Sequence, residues 1–208
     1  MRNKILIILI ISVFFVLGSV ISRISTLSKP RSTSSYTVTA FRSKDIIRND
    51  REFLGDPSAI WTLVEFGDYQ CPGCIRSHNA IKSLISTKIN VRYQFRHYPL
   101  TNIHDFAEFA SLLSIEAETR KIYPSVHEDL FALKGNLSKE TILKLCKKHN
   151  IKNINKTKNE KLLYIDLESV KKLDIDSTPT FFLCTPNNNV LKIRNIQSIN
   201  NIVRNSKL

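Results

Sequence analysis

The chain has 208 residues, 42% of them hydrophobic, with four Cys, five Gly and a formal net charge of +13. That is enough apolar material to bury the core of one ordinary domain, which excludes disorder as the main state. All 18 acidic residues lie after residue 40, and the part from Ala40 onward still keeps a net charge of +8. Its Lys residues are scattered along helix-like segments instead of gathered in one stripe, so nucleic acid is not expected as a partner.

Arg2 and Lys4 precede an apolar run from Ile5 to Ile21 that is interrupted only by Ser12, Gly18 and Ser19. This reads as an export segment, residues 1–22, acting as a signal peptide or a signal anchor. Seventeen helical residues would span about 25 Å against roughly 30 Å of hydrocarbon, and no clear Ala-x-Ala cleavage point follows, so an uncleaved anchor is slightly favoured. Residues 23–44, rich in Ser and Thr with Lys29, Pro30 and Arg31, read as a tether.

Ile60 to Phe66 is a strand-like apolar run, and Cys71 to Lys88 carries apolar residues at helical spacing (Ile75, Ile81, Leu84, Ile85). Val91 to Tyr98 alternates like a strand. Helical patterns follow over Asp105 to Ile122, Pro124 to Lys134, Ser138 to Lys148 and Glu160 to Leu173, with Ser138 a candidate N-cap. Thr180 to Cys184 and Val190 to Ile193 read as strands joined by the turn-rich Pro186-Asn-Asn-Asn189, and Ile196 to Arg204 as a closing helix. The order β-α-β, four helices, β-β-α is an α/β signature.

Cys71-Pro72-Gly73-Cys74 sits where the first of these strands meets its helix. Free N–H groups and the positive end of the helix dipole stabilise a thiolate there, which makes Cys71 the candidate nucleophile. Cys74, one turn on and on the same face, can close a small ring with it or resolve a mixed disulfide. Pro72 removes an N–H that a first helical turn leaves unpaired anyway. A rival reading is a metal site of Cys71, Cys74 and His78, although no second close pair completes four ligands. Glu65, inside the apolar strand, must be exposed, paired or partly protonated, and Gln94 or Arg96 on the next strand could pair with it. Thr178-Pro179-Thr180 ahead of an apolar strand suits a rigid turn, and X-Pro is the one common setting for a cis bond. Cys146 and Cys184 could each be small buried hydrophobes, or they could form a structural disulfide in an oxidising compartment.

Three segments, Glu65-Phe-Gly-Asp-Tyr-Gln-Cys-Pro-Gly-Cys74, Arg96-His-Tyr-Pro-Leu100 and Ser177-Thr-Pro-Thr-Phe-Phe182, together resemble the signatures of DsbA-like thiol:disulfide oxidoreductases of the bacterial cell envelope. The resemblance covers about Gly55 to Ile202. It implies a thioredoxin fold over residues 45–208, with a helical insertion between the second and third strands at about 101–173 and a cis peptide before Pro179 facing the cysteines. It further implies that Cys71 and Cys74 form a redox-active disulfide, that Glu65 is a buried acid moving protons to and from Cys74, and that Thr178 and Pro179 contact substrate. No cofactor is expected. The implied partners are reduced exported proteins and a DsbB-like, quinone-linked membrane reoxidant, with the chain acting as a monomer in the periplasm or on the outer face of the inner membrane. Introduction of disulfides into exported proteins is the activity expected; reduction or isomerisation is the alternative, since direction depends on redox potential. Ser177 stands where the family usually has Gly, and the dipeptide between the cysteines lacks the His of some members.

Overall fold

The computed structural model describes residues 35–87 and 89–206. The export segment and the first part of the tether lie outside them. No helix among the described residues is long and apolar enough to cross a membrane.

In chain order the elements are β1 (Tyr36–Arg42), α1 (Ser43–Ile46), β2 (Leu54–Gly55), β3 (Trp61–Gly67), α2 (Pro72–Ser86) and β4 (Val91–His97). Then come α3 (Ala107–Thr119), α4 (Tyr123–Ala132), α5 (Lys139–Lys148) and α6 (Lys156–Lys172), followed by β5 (Thr180–Cys184), β6 (Asn189–Ile193), a 3-10 turn (Ile196–Ser198) and α7 (Ile199–Asn205). One six-stranded sheet runs in the order β1-β6-β5-β3-β4-β2. Only β3 and β4 pair in parallel, which requires the crossover that α2 supplies; the other pairs are antiparallel. This is a thioredoxin-like α/β fold with helices α3 to α6 inserted between β4 and β5.

Strand β3 is buried at every position because it lies in mid-sheet with cover on both faces, and this is why it reads as an apolar run instead of an alternation. Side chains nevertheless sort by parity. Leu63, Tyr93, Phe95, Phe181 and Leu183 join a large cluster with Cys71 and Cys74 on one face. Val64, Phe66, Phe182 and Cys184 join Ile46, Val170 and Leu173 on the other. Each Leu or Phe so buried contributes roughly 1.5–3 kcal/mol by transfer from water.

Beneath the second face the insertion is tied to the sheet by a buried carboxylate. Asp166 of α6 accepts hydrogen bonds from Arg48 Nη1, Arg96 Nε and the His97 backbone N–H, each at 2.9 Å. Arg96 therefore serves this junction and does not approach Glu65.

The expected tether over residues 23–44 is corrected at its C-terminal end, where Tyr36–Arg42 forms strand β1 and Ser43–Ile46 helix α1. The strand pairs Tyr36 with Ile193 and Val38 with Leu191, and its register breaks between Val38 and Arg42. None of its residues is fully buried; Tyr36 and Phe41 are half-buried against the two clusters, the ladder to β6 supplies the rest, and the register break disturbs the alternation. Helix α6 begins a turn before the expected Glu160 because the Asn155 side chain caps it through the Lys158 N–H. Ser138 caps α5 as expected, in a reciprocal pair with Thr141.

Of the two readings open for Cys146 and Cys184, the disulfide is not formed, and all four cysteines are free thiols. Cys146 packs against the cluster on the α2 face, while Cys184 belongs to the cluster on the opposite face, so the sheet separates them. Burial pushes the Cys184 thiol up to about 12, which leaves it an inert packing residue.

Candidate active site

Strand β3 ends at Gly67, and after a three-residue turn Cys71 is the N-cap of α2, with Pro72 in the first helical position. Asp68 shapes the turn between them. Its carboxylate accepts from the Gln70 N–H at 2.7 Å, the Leu100 N–H at 2.8 Å and His104 Nδ1 at 2.7 Å. Its backbone carbonyl accepts from the Cys71 N–H at 3.1 Å, and its own N–H donates to Cys74 Sγ at 3.4 Å. An Asp that accepts from the N–H two residues on is a recognisable turn former, but nothing in the sequence marked this one as gathering His104 and Leu100 as well. Gln70 also reaches outward, its Oε1 accepting from the Phe106 N–H at 2.7 Å and so joining the turn to the insertion.

The Thr178–Pro179 peptide is cis, and its loop lies directly against the cysteines. Cys71 Sγ donates to the Thr178 carbonyl oxygen at 3.3 Å. Gly73 makes this approach feasible: a Cβ there would stand 2.6 Å from Pro179 Cδ, well inside contact distance. More than a hundred residues of chain thus close on one sulfur.

The two thiols occupy opposite situations. Cys71 is 7% exposed and Cys74 is fully enclosed. The Cys71 thiol is lowered to about 5, first by the hydrogen bond that the Cys74 thiol gives its thiolate, and further by Thr178 and by the N–H groups of Cys74 and Gly73, against the opposing effect of burial. The neighbouring thiol is the largest single cause, and the helix-terminal N–H groups that the sequence pointed to add to it. Cys74 is pushed far above the usual thiol range by burial, then by serving as that donor and by the charge of Glu65.

Glu65 is fully buried on the same face as the cysteines. Its neighbour is neither Gln94 nor Arg96: Gln94 exchanges hydrogen bonds with the Arg48 backbone, and Tyr93 Oη donates to Glu65 Oε2 at 2.6 Å. Burial raises the Glu65 carboxyl to about 7, while Tyr93 and Cys74 hold it back from going higher. An acid near neutrality beside a thiol that must gain and lose a proton is matched to that task. Gly67 leaves room for it, since a Cβ there would lie 2.9 Å from Glu65 Oε1 and 2.5 Å from the Phe95 ring.

His78 does not join the cysteines. It is buried, not on the helix surface, its ring stacked on Phe131 with centroids 4.3 Å apart and its Nε2 3.4 Å from Glu128. No group of three or more His, Cys, Asp or Glu among the described residues is placed to hold a metal ion. The metal-carrying alternative thus loses its third ligand to α4.

The family model described as thioredoxin matches residues 49–191. The chain belongs to the thioredoxin family. Within the thioredoxin family its fold is that of DsbA-like proteins. The catalytic domain of ScsC from Proteus mirabilis superposes with a TM-score of 0.65 at 24% identity, covering 77% of this chain and 92% of that one. BdbD from Bacillus subtilis, in its oxidised form, gives a TM-score of 0.61 at 23% identity, covering 74% and 91%. Among curated proteins, the Na(+)/H(+) antiporter NhaA 1 of Salinispora arenicola is 27% identical over 141 residues, which is 64% of this chain and 22% of the antiporter. The chain therefore spans about a fifth of the length of the curated relatives it matches.

Proposed function

We propose that this thioredoxin-family chain is an oxidase of the bacterial cell envelope, introducing disulfides into exported proteins by exchange at Cys71 and Cys74. The observation that carries the reading is the contrast between the two thiols: Cys71 at the helix N-terminus against the cis loop, still 7% exposed and lowered to about 5, Cys74 fully enclosed and raised. A protein whose nucleophile is so stable as a thiolate favours its own reduced form, and its disulfide is correspondingly a strong oxidant. The charged start and apolar run of residues 1–22 support an exported, membrane-linked location.

In the oxidised protein a substrate thiolate attacks Cys71 Sγ. The Cys71–Cys74 bond breaks, its electron pair goes to Cys74, and Cys74 takes the proton carried by Glu65. A second substrate thiolate then attacks the substrate sulfur of the mixed disulfide and expels Cys71 as thiolate. Two electrons have moved from the substrate thiols to the protein, and a DsbB-like, quinone-linked membrane partner removes them. The cis loop offers the backbone of Thr178 and the ring of Pro179 as the edge on which the substrate peptide lies beside Cys71. Reduction or isomerisation uses the same bonds in the other direction and is the alternative.

Stoichiometric oxidised protein mixed with a reduced, unfolded peptide bearing two cysteines is expected to leave the peptide disulfide-bonded. The Cys71→Ser and Cys74→Ser variants, which cannot hold the disulfide, should form none, and Cys74→Ser offered a disulfide-bonded peptide should accumulate a mixed disulfide on Cys71, with the other peptide sulfur leaving as thiolate. A parent protein that leaves the peptide reduced while catalysing insulin reduction by dithiothreitol would overturn the oxidase reading in favour of the reductase.

A further inference from the structure

Glu65 and Tyr93 stand on adjacent parallel strands, β3 and β4, and point to the same face of the sheet, where Leu63 is registered with Tyr93 and Glu65 with Phe95. Both are fully buried. The Tyr93 hydroxyl has one hydrogen-bond acceptor among the described residues, Glu65 Oε2 at 2.6 Å, a length typical of a charge-assisted O–H···O bond. The other carboxylate oxygen, Oε1, has no hydrogen-bond partner and lies on the side of Gly67. A carboxylate in such a place is held in one orientation by a single phenol, with its second oxygen left free for the proton of Cys74.

The groups facing Glu65 bear on how it titrates. From α2 these are Cys74 and Cys71, from β4 Tyr93, from the turn after β3 Tyr69, and from α4 Tyr123. Tyr69 and Tyr123 are occupied with His127, and Arg51 and Glu118 lie beyond them. Of this set only Tyr93 hydrogen-bonds the carboxylate in a way that favours its charged form without itself taking part in the exchange of sulfur.

We propose that Tyr93 is the positioning residue that keeps Glu65 ionisable, and so sets the pH at which Cys74 can be deprotonated to close the disulfide. This rests on the assignment of Glu65 as the proton carrier for Cys74. It predicts asymmetry. Opening of the disulfide needs Glu65 to carry a proton and is not impaired when the phenol is removed. Closing needs Glu65 as carboxylate: Cys74 gives it the thiol proton, the resulting thiolate attacks Cys71 Sγ, the bond from Cys71 to the leaving thiol breaks, and the leaving group departs with the electron pair.

The full chain, reduced and mixed with 5,5′-dithiobis(2-nitrobenzoate), separates the two steps. Cys71 attacks first and releases one thionitrobenzoate, and Cys74 then displaces the second from Cys71. In Tyr93→Phe the first phase is expected to match the parent. The second should fall about fivefold at neutral pH, with its midpoint moved upward by roughly one unit, the size expected on losing one hydrogen bond to a buried charge. Glu65→Gln should slow the second phase and flatten its pH dependence, and adding Tyr93→Phe to Glu65→Gln should change nothing further. A second phase in Tyr93→Phe that superimposes on the parent across the pH range, or a first phase slowed equally, would overturn the role of Tyr93. A Glu65→Gln variant with the parent's second phase would overturn the assignment of Glu65 beneath it.

Discussion

Alkylation of the reduced protein at about pH 6 is expected to consume Cys71 and leave Cys74 untouched. With its thiol lowered to about 5, Cys71 is already mostly thiolate there. An ordinary thiol, with a value of about 8.5, is less than about 1% ionised at that pH. The gain in ionised fraction is roughly 300-fold, while the lower basicity of the sulfur removes about 25- to 50-fold of reactivity, so a net advantage of about tenfold over an ordinary thiol remains. Cys74 is enclosed and raised, so it offers neither thiolate nor access. Mass mapping of iodoacetamide adducts should find Cys71 alone, with a rate that levels off above about pH 6. Adducts on both cysteines at similar rates, or a Cys71 rate still climbing toward pH 9, would contradict the assignment of nucleophile and partner.

Replacement of Asp166 by Ala is expected to cost the fold about 3–5 kcal/mol, the range found when one partner of a buried ion pair is removed. The side chain is fully buried and holds Arg48, Arg96 and the His97 N–H, so its loss leaves the buried Arg96 guanidinium without a carboxylate and Arg48 with Asp50 alone. Burial pushes the Asp166 carboxyl up, but Arg96, Arg51, His97 and Arg48 together outweigh it and hold it below the usual carboxylate range. A carboxyl depressed in the folded state contributes stability that is fully present above its unfolded value of about 4 and is lost as pH falls through the folded one. Urea unfolding should therefore show a lower midpoint in the variant above about pH 5, with the difference from the parent narrowing in acid. Because the network lies on the face away from Glu65, the alkylation rate of Cys71 should be retained. Equal midpoints for variant and parent would contradict the anchoring role.

The elements that sequence revealed are those whose cover writes itself into composition. The apolar run Ile60 to Phe66, buried from Trp61 on, the apolar spacing that follows Cys71 and the four helical patterns between Asp105 and Leu173 all correspond to elements of the fold. The Pro179 loop was legible through three motifs taken together, and it does meet Cys71. What stayed hidden depended on partners distant in the chain. Strand β1 pairs with β6 across some 150 residues and only half-buries Tyr36 and Phe41, on either side of a register break, so it shows little periodicity to read. Glu65 was legible as a costly residue, but its partner is fixed by the offset between two parallel strands, and that register chooses Tyr93 over Gln94 and Arg96. Cys146 and Cys184 made an even set with the catalytic pair, yet the alternation along β5 turns Cys184 to the face opposite the cluster that Cys146 joins.

The equilibrium between the Cys71–Cys74 couple and a series of glutathione redox buffers tests the central claim most directly. A lowered Cys71 thiol stabilises the reduced protein, so the couple should be markedly more oxidising than thioredoxin's value of about −270 mV. A potential at or below that value would contradict an oxidase and mark the site as a reductant.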